Sequence, residues 1–101
     1  MYYVYILRCS DNSLYTGITT DFKKRLETHM NKEKSAAKYT KSRDVVCAEA
    51  LWTCADKSSA LKLECYIKRL TKKKKEELIK KPELVNKLDF TTEYEIQKNF
   101  A

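Results

Sequence analysis

The chain contains one glycine, Gly17, and one proline, Pro82, so it has almost none of the two residues that most often interrupt regular structure. Its turns must be made from other residues. Gly17 must meet a demand that a residue with a side chain does not. It lies in the segment LYTGITTDFKKRLETH, residues 14–29, which also holds the only histidine, His29. The segment passes from an aromatic, strand-like composition to a helical spacing.

Residues 2–9, YYVYILRC, read as a strand. SDNS at 10–13 is a turn cluster and LYTGI at 14–18 a second strand, so the two form a hairpin. Thr20 or Asp21 caps a helix beginning at Phe22. Residues 31–43 read as a basic loop carrying Tyr39. A third strand is expected in 44–54, then a long helix capped by Asp56 or Ser58 and running to about Lys80. Pro82 stops that helix or opens another short one. The expected class is α+β: a three-stranded antiparallel sheet flanked by helices, in β-β-α-β-α order. A domain at 1–82 would be followed by a short helix and poorly ordered tail at 83–101.

With 43% apolar and 35% charged residues, the 101-residue chain reads as a single globular domain and not as a disordered or membrane segment. No apolar run approaches membrane-span length. MYYVYIL has no basic lead-in, so it reads as a strand and not a signal peptide, and a cytoplasmic location is expected. Cys9, Cys47, Cys54 and Cys65 form no CxxC pair, and one histidine cannot complete a zinc-finger pattern, so partly buried free thiols are expected. The net charge of +7 favours a polyanionic partner, nucleic acid foremost, although the run Lys72–Lys75 also suits a solvated helix face.

Two helix faces carry ionisable groups among apolar ones. The helical template from Phe22 selects Phe22, Arg25, Leu26, His29 and Met30, with Lys23, Lys24, Glu27 and Thr28 outside. In the long helix Ala60, Leu63, Ile67, Leu70 and Thr71 form the stripe, and Glu64 falls within it. Burying such groups is costly unless they are paired or line a cleft. An Arg25–Glu64 bridge that only orients the helices is one reading, snorkelling of the charged groups at the stripe edge is a second, and a functional cleft is the third.

The hairpin has two readings as well. A two-residue loop, Asp11-Asn12, puts Tyr5 and Tyr15 on opposite faces of the sheet. A three-residue loop, Ser10-Asp11-Asn12 with Asn12 left-handed, pairs Tyr5 with Gly17 and puts Tyr5 and Tyr15 on one face. Gly17 would then leave room for substrate beside Tyr5, or else mark a plain β-bulge.

These residues together resemble the GIY-YIG nuclease family, above all its small stand-alone members. The resemblance rests on YYVYILRCSDNSLYTGITTDFKKRLETH, then AAKYT and ALKLECYIKRL, and covers about residues 2–80. It implies metal-dependent hydrolysis of DNA phosphodiester bonds. By position, Tyr5 is the first-motif tyrosine, Tyr15 and Gly17 belong to the second motif, and Arg25 is the family arginine. His29 stands where relatives hold His or Tyr. Glu64 is the metal-binding carboxylate, for Mg²⁺ or Mn²⁺, and Tyr39 matches a further ring near the site of some relatives. Tyr3 and Thr16 depart from the glycine and isoleucine of the two motifs, and an asparagine found in some relatives has no counterpart here.

A mechanism on these residues gives Arg25 the phosphate charge and Glu64 the metal. Tyr5 or His29 is the general base, and Tyr15 positions water or phosphate. Arg8, Lys38, Tyr39, Lys41 and Arg43, with Gly17, would extend the substrate-binding surface. Structure-selective cleavage in DNA repair or processing, with a partner protein supplying specificity, is the further expectation. Oligomeric state is left open. The alternatives are a nucleic-acid-binding module of the same fold with weak or no catalysis, and a protein-interaction domain facing an acidic partner.

Overall fold

A computed structural model describes residues 1–30, 44–87 and 94–96. The elements run β1 (Tyr2–Cys9), β2 (Leu14–Thr19), α1 (Phe22–Met30), β3 (Val45–Cys54), α2 (Lys57–Lys68), α3 (Lys72–Lys80), a 3-10 helix (Pro82–Lys87) and β4 (Glu95–Ile96). The sheet is antiparallel in the order β2-β1-β3, with β4 paired to the far side of β3. The α+β class and the β-β-α-β-α order hold.

The hairpin takes the three-residue loop. Asn12 is left-handed at φ 68°, and the Cys9 N–H donates to the Ser13 carbonyl at 2.9 Å. Tyr5 therefore pairs with Gly17 and Leu7 with Tyr15. An asparagine supplies the positive φ that a glycine more often provides, and Gly17 itself has no positive φ.

Strand alternation sorts β1 onto two cores. Val4 and Ile6 face α2 and α3, packing with Trp52, Leu63, Ile67 and Leu78. Tyr5, Leu7 and Cys9 face α1, packing with Phe22, Val45 and Leu51. Asp21 caps α1 through Lys24 N–H at 3.2 Å, and Asp56 caps α2 through Ser59 N–H at 2.7 Å.

Four expectations need correction. The long helix is two helices: Thr71 is an N-cap, its hydroxyl accepting from Lys74 N–H at 3.3 Å, so α3 starts anew. The short helix expected at 83–88 is the 3-10 helix with Val85 buried, but within the tail expected to be poorly ordered Tyr94 is buried and residues 95–96 extend the sheet. The Tyr94 hydroxyl donates to the Ser59 carbonyl at 2.6 Å, and the Trp52 indole donates to the Pro82 carbonyl at 3.1 Å. Thr28 is buried, its hydroxyl returned to the Lys24 carbonyl at 3.0 Å. Cys65 is exposed, whereas Cys9 and Cys54 are buried and Cys47 is half-buried, all four as free thiols. No helix among the described residues is long and apolar enough to cross a membrane.

Candidate active site

The site is built where the hairpin meets α1. The three-residue loop puts Tyr5 and Tyr15 on one face, and the helical spacing of α1 turns Phe22, Arg25 and His29 toward them. The Tyr5 ring lies 5.7 Å from Phe22, 6.3 Å from Tyr15 and 5.9 Å from His29, centroid to centroid, and Tyr15 lies 5.3 Å from His29. The Tyr5 hydroxyl oxygen is 3.0 Å from His29 Nε2, and both residues are buried.

Burial shapes the proton chemistry. It pushes the Tyr5 phenol up to about 12, helped by Tyr15 and Glu64 and opposed by a hydrogen bond and the charge from Arg25. Burial likewise raises Tyr15, again with Arg25 opposing and Glu64 adding. His29 is pulled down to about 4, by burial first and the charge of Arg25 second. At neutral pH the pair is therefore a phenol and a neutral imidazole. Arg25 can only donate, so the Tyr5 oxygen accepts from it and the phenol proton is free for Nε2.

Gly17 has a direct cause. A β-carbon there would stand 2.5 Å from the Tyr5 hydroxyl oxygen and 2.7 Å from the ring carbon bearing it. The Tyr5 ring itself fills the space expected for substrate, so that reading of Gly17 is corrected. Gly17 admits the ring, and it does not line an open pocket over it.

Helix α2 lies on the other side of the sheet, against β2 and β1, and brings Glu64 within electrostatic reach of Tyr5 and Tyr15. The Glu64 side chain is 18% exposed, and its carboxylate is 3.6 Å from Lys68 Nζ, one turn on. A lone, partly exposed carboxylate suits Mg²⁺, which keeps most of its waters and binds through one or two carboxylates plus phosphate. Among the described residues no three His, Cys, Asp or Glu side chains gather as a chelating group.

A groove of about 300 Å³ opens beside the cluster, lined by Thr19, Thr20, Asp21, Lys24, Arg25 and Thr28. Arg25 is common to the groove and the tyrosine cluster, so a phosphate in the groove would meet the same guanidinium that bonds Tyr5.

Arg8 is not part of this surface. It lies on the opposite sheet face from Tyr5, and its guanidinium is held by Glu76 at 2.5 and 2.8 Å, Glu49 at 3.1 Å and Asn12 at 2.9 Å. Its expected role on phosphate is corrected to tying α3 to the hairpin and β3. Lys38, Tyr39, Lys41 and Arg43 lie outside the described residues. Phe22, missed as a site residue, packs on Tyr5 as part of its wall, and its apolar place at the start of α1 was the signal.

The chain is similar over most of its length to known proteins. A family model described as the GIY-YIG catalytic domain matches residues 1–77. The UPF0213 protein FN1575 of Fusobacterium nucleatum is 43% identical, over 98% of both chains. A UPF0213 protein of Syntrophus aciditrophicus is 49% identical over 77% of this chain and 88% of its own. The solution NMR structure of the UPF0213 protein BH0048 from Bacillus halodurans is similar, at 38% identity and a TM-score of 0.51, covering 90% of this chain and all of that one.

Proposed function

The chain belongs to the GIY-YIG family, and from that premise we propose that it is a metal-dependent DNA endonuclease whose reacting groups are Tyr5, Tyr15, Arg25, His29 and Glu64. The observation that carries the reading is the buried Tyr5–His29 hydrogen bond at 3.0 Å.

Hydrolysis needs a water that loses its proton as it attacks phosphorus. Tyr5 takes that proton on its oxygen while its own proton passes to His29 Nε2, so no standing phenolate has to form. A standing phenolate is disfavoured because burial holds the phenol near 12. His29 arrives neutral, with a lone pair to accept. The negative charge of the incoming phosphate favours the imidazolium that results. This gives both base candidates one role each in a relay.

Arg25 donates to the phosphate oxygens as charge develops, from a position shared by the groove and the cluster. Tyr15 orients the water or phosphate across the His29 ring. Glu64 would hold the Mg²⁺ or Mn²⁺ ion, which supplies Lewis-acid polarisation of the phosphate and a template for it. The proposal extends to selectivity for DNA structure, a place in DNA repair or processing, and a partner protein that supplies specificity.

Tyr5→Phe and Arg25→Ala test the reading on end-labelled DNA with Mg²⁺. Each is expected to abolish cleavage while circular dichroism shows an intact fold. Full activity in both variants would remove these residues from the reaction.

A further inference from the structure

The charge of the protein is unevenly placed. Residues 57–81 hold ten of the 21 Lys and Arg residues and three of the 14 Asp and Glu residues. Ten less three leaves +7, the whole formal net charge of the chain. The rest of the sequence sums to zero, eleven basic against eleven acidic residues, although 31–43 within it is itself basic at +4.

The fold concentrates that charge further. Lys68, Arg69, Lys72, Lys73 and Lys74 are all exposed, across the end of α2 and the start of α3. Lys68 Nζ lies 3.6 Å from Glu64, so the basic surface begins at the candidate metal ligand. Of the two acidic residues in α3, Glu76 is turned onto Arg8, which ties the helix to the hairpin.

Helix stability does not account for the arrangement. The first turn of α3 has no acidic residue and is made of lysines, the sign that the helix dipole disfavours there. Core packing does not account for it either, since α3 buries Leu78 and leaves Lys72–Lys74 in solvent.

Resting on the nuclease reading above, we propose that the exposed Lys68–Lys74 surface is a nucleic-acid backbone track, which carries the phosphates flanking the scissile bond away from Glu64. Contacts of this kind go to phosphate and carry no sequence information. The track therefore supplies affinity independent of base sequence, and it does so separately from the tyrosine cluster.

The test is fluorescence anisotropy of labelled single-stranded and duplex DNA, without divalent metal, across a salt series. It compares the wild type with the triple variant Lys72→Gln, Lys73→Gln, Lys74→Gln and with the matching triple Lys→Arg variant. Breaking one lysine–phosphate pair lowers the slope of log K against log salt by about 0.7–0.9. The Gln variant is expected to lose about 2–3 from that slope and on the order of 100-fold in affinity near 0.1 M salt. The Arg variant is expected to bind like the wild type.

An unchanged slope in a folded Gln variant would overturn the track. So would equally tight wild-type binding to poly-glutamate or to phosphatidylserine vesicles, which would assign the surface to an acidic protein or a membrane. Because binding is read without metal, failure here leaves the cleavage assay of Tyr5→Phe free to succeed. An inactive wild type that still binds through these lysines would sink the nuclease reading alone.

Discussion

The Tyr5 hydroxyl oxygen would lie 2.5 Å from a β-carbon on Gly17, its cross-strand partner. The ring cannot easily retreat, because it is packed by Phe22 and Tyr15 and bonded to His29. Gly17→Ala is expected to destabilise by about 1–3 kcal/mol, the usual cost of overpacking, and to displace the Tyr5 hydroxyl from His29. For a domain of this size each kcal/mol lowers Tm by roughly 4–8 °C. Adding Tyr5→Phe should not restore stability, since the ring carbon at 2.7 Å remains. Adding Tyr5→Leu should. A thermal melt of the three variants checks this.

His29 predicts an acid-side loss of stability. Its folded pKa, about 4, lies below the ordinary 6.5, so the unfolded chain binds the proton first as pH falls. The neutral-imidazole contribution is complete above about 6.5 and is lost progressively down to about 4. The full difference is on the order of 3 kcal/mol. Asp56 and Glu76, held below ordinary carboxylate values by Ser59 and Arg8, lose their contribution at lower pH still. Urea unfolding of wild type and His29→Gln between pH 4 and 7 should show a flatter pH profile in the variant.

Arg8→Ala leaves Glu49 and Glu76 facing each other without their shared cation. The expected loss is about 1–3 kcal/mol, read by urea unfolding. Arg8→Lys should recover only part of it, because an ammonium cannot make the two-pronged contact with Glu76. Cleavage per folded molecule should survive in both, since the Arg8 guanidinium is taken up by Glu76, Glu49 and Asn12.

Tyr94 is a second stability test, placed beyond the matched family region. It is 2% exposed and bonded to the Ser59 carbonyl. Tyr94→Ala should cost about 3–5 kcal/mol, as for other buried aromatic truncations. A change near zero in the thermal melt would show that the C-terminal segment is not part of the core.

Much of this architecture is legible in the sequence because it follows local rules. Asp21 and Asp56 cap helices where they stand, and one of the two hairpin loops open to the sequence, the one with Asn12 left-handed, is the one the structure takes. The pairing of Tyr5 with Gly17 then follows by counting. What was not legible depended on long-range contacts. Glu49 and Glu76 claim Arg8 from distant parts of the chain, and the packed Tyr5 ring takes the space beside Gly17. Thr71 carried a readable cap signal, but a stripe of apolar residues running to Leu70 hid the break. Strand β4 has only two residues, too few for a period to register.

On the proposed function, Glu64 and the tyrosine–histidine cluster form one nuclease centre. The most direct measurement incubates wild type and Glu64→Ala side by side with end-labelled single-stranded, duplex, nicked, flapped and branched DNA in Mg²⁺ or Mn²⁺. Cutting of at least one substrate by wild type, and of none by the folded variant, is the predicted result. Equal cutting by both, or no cutting of any substrate by pure wild type, would contradict it.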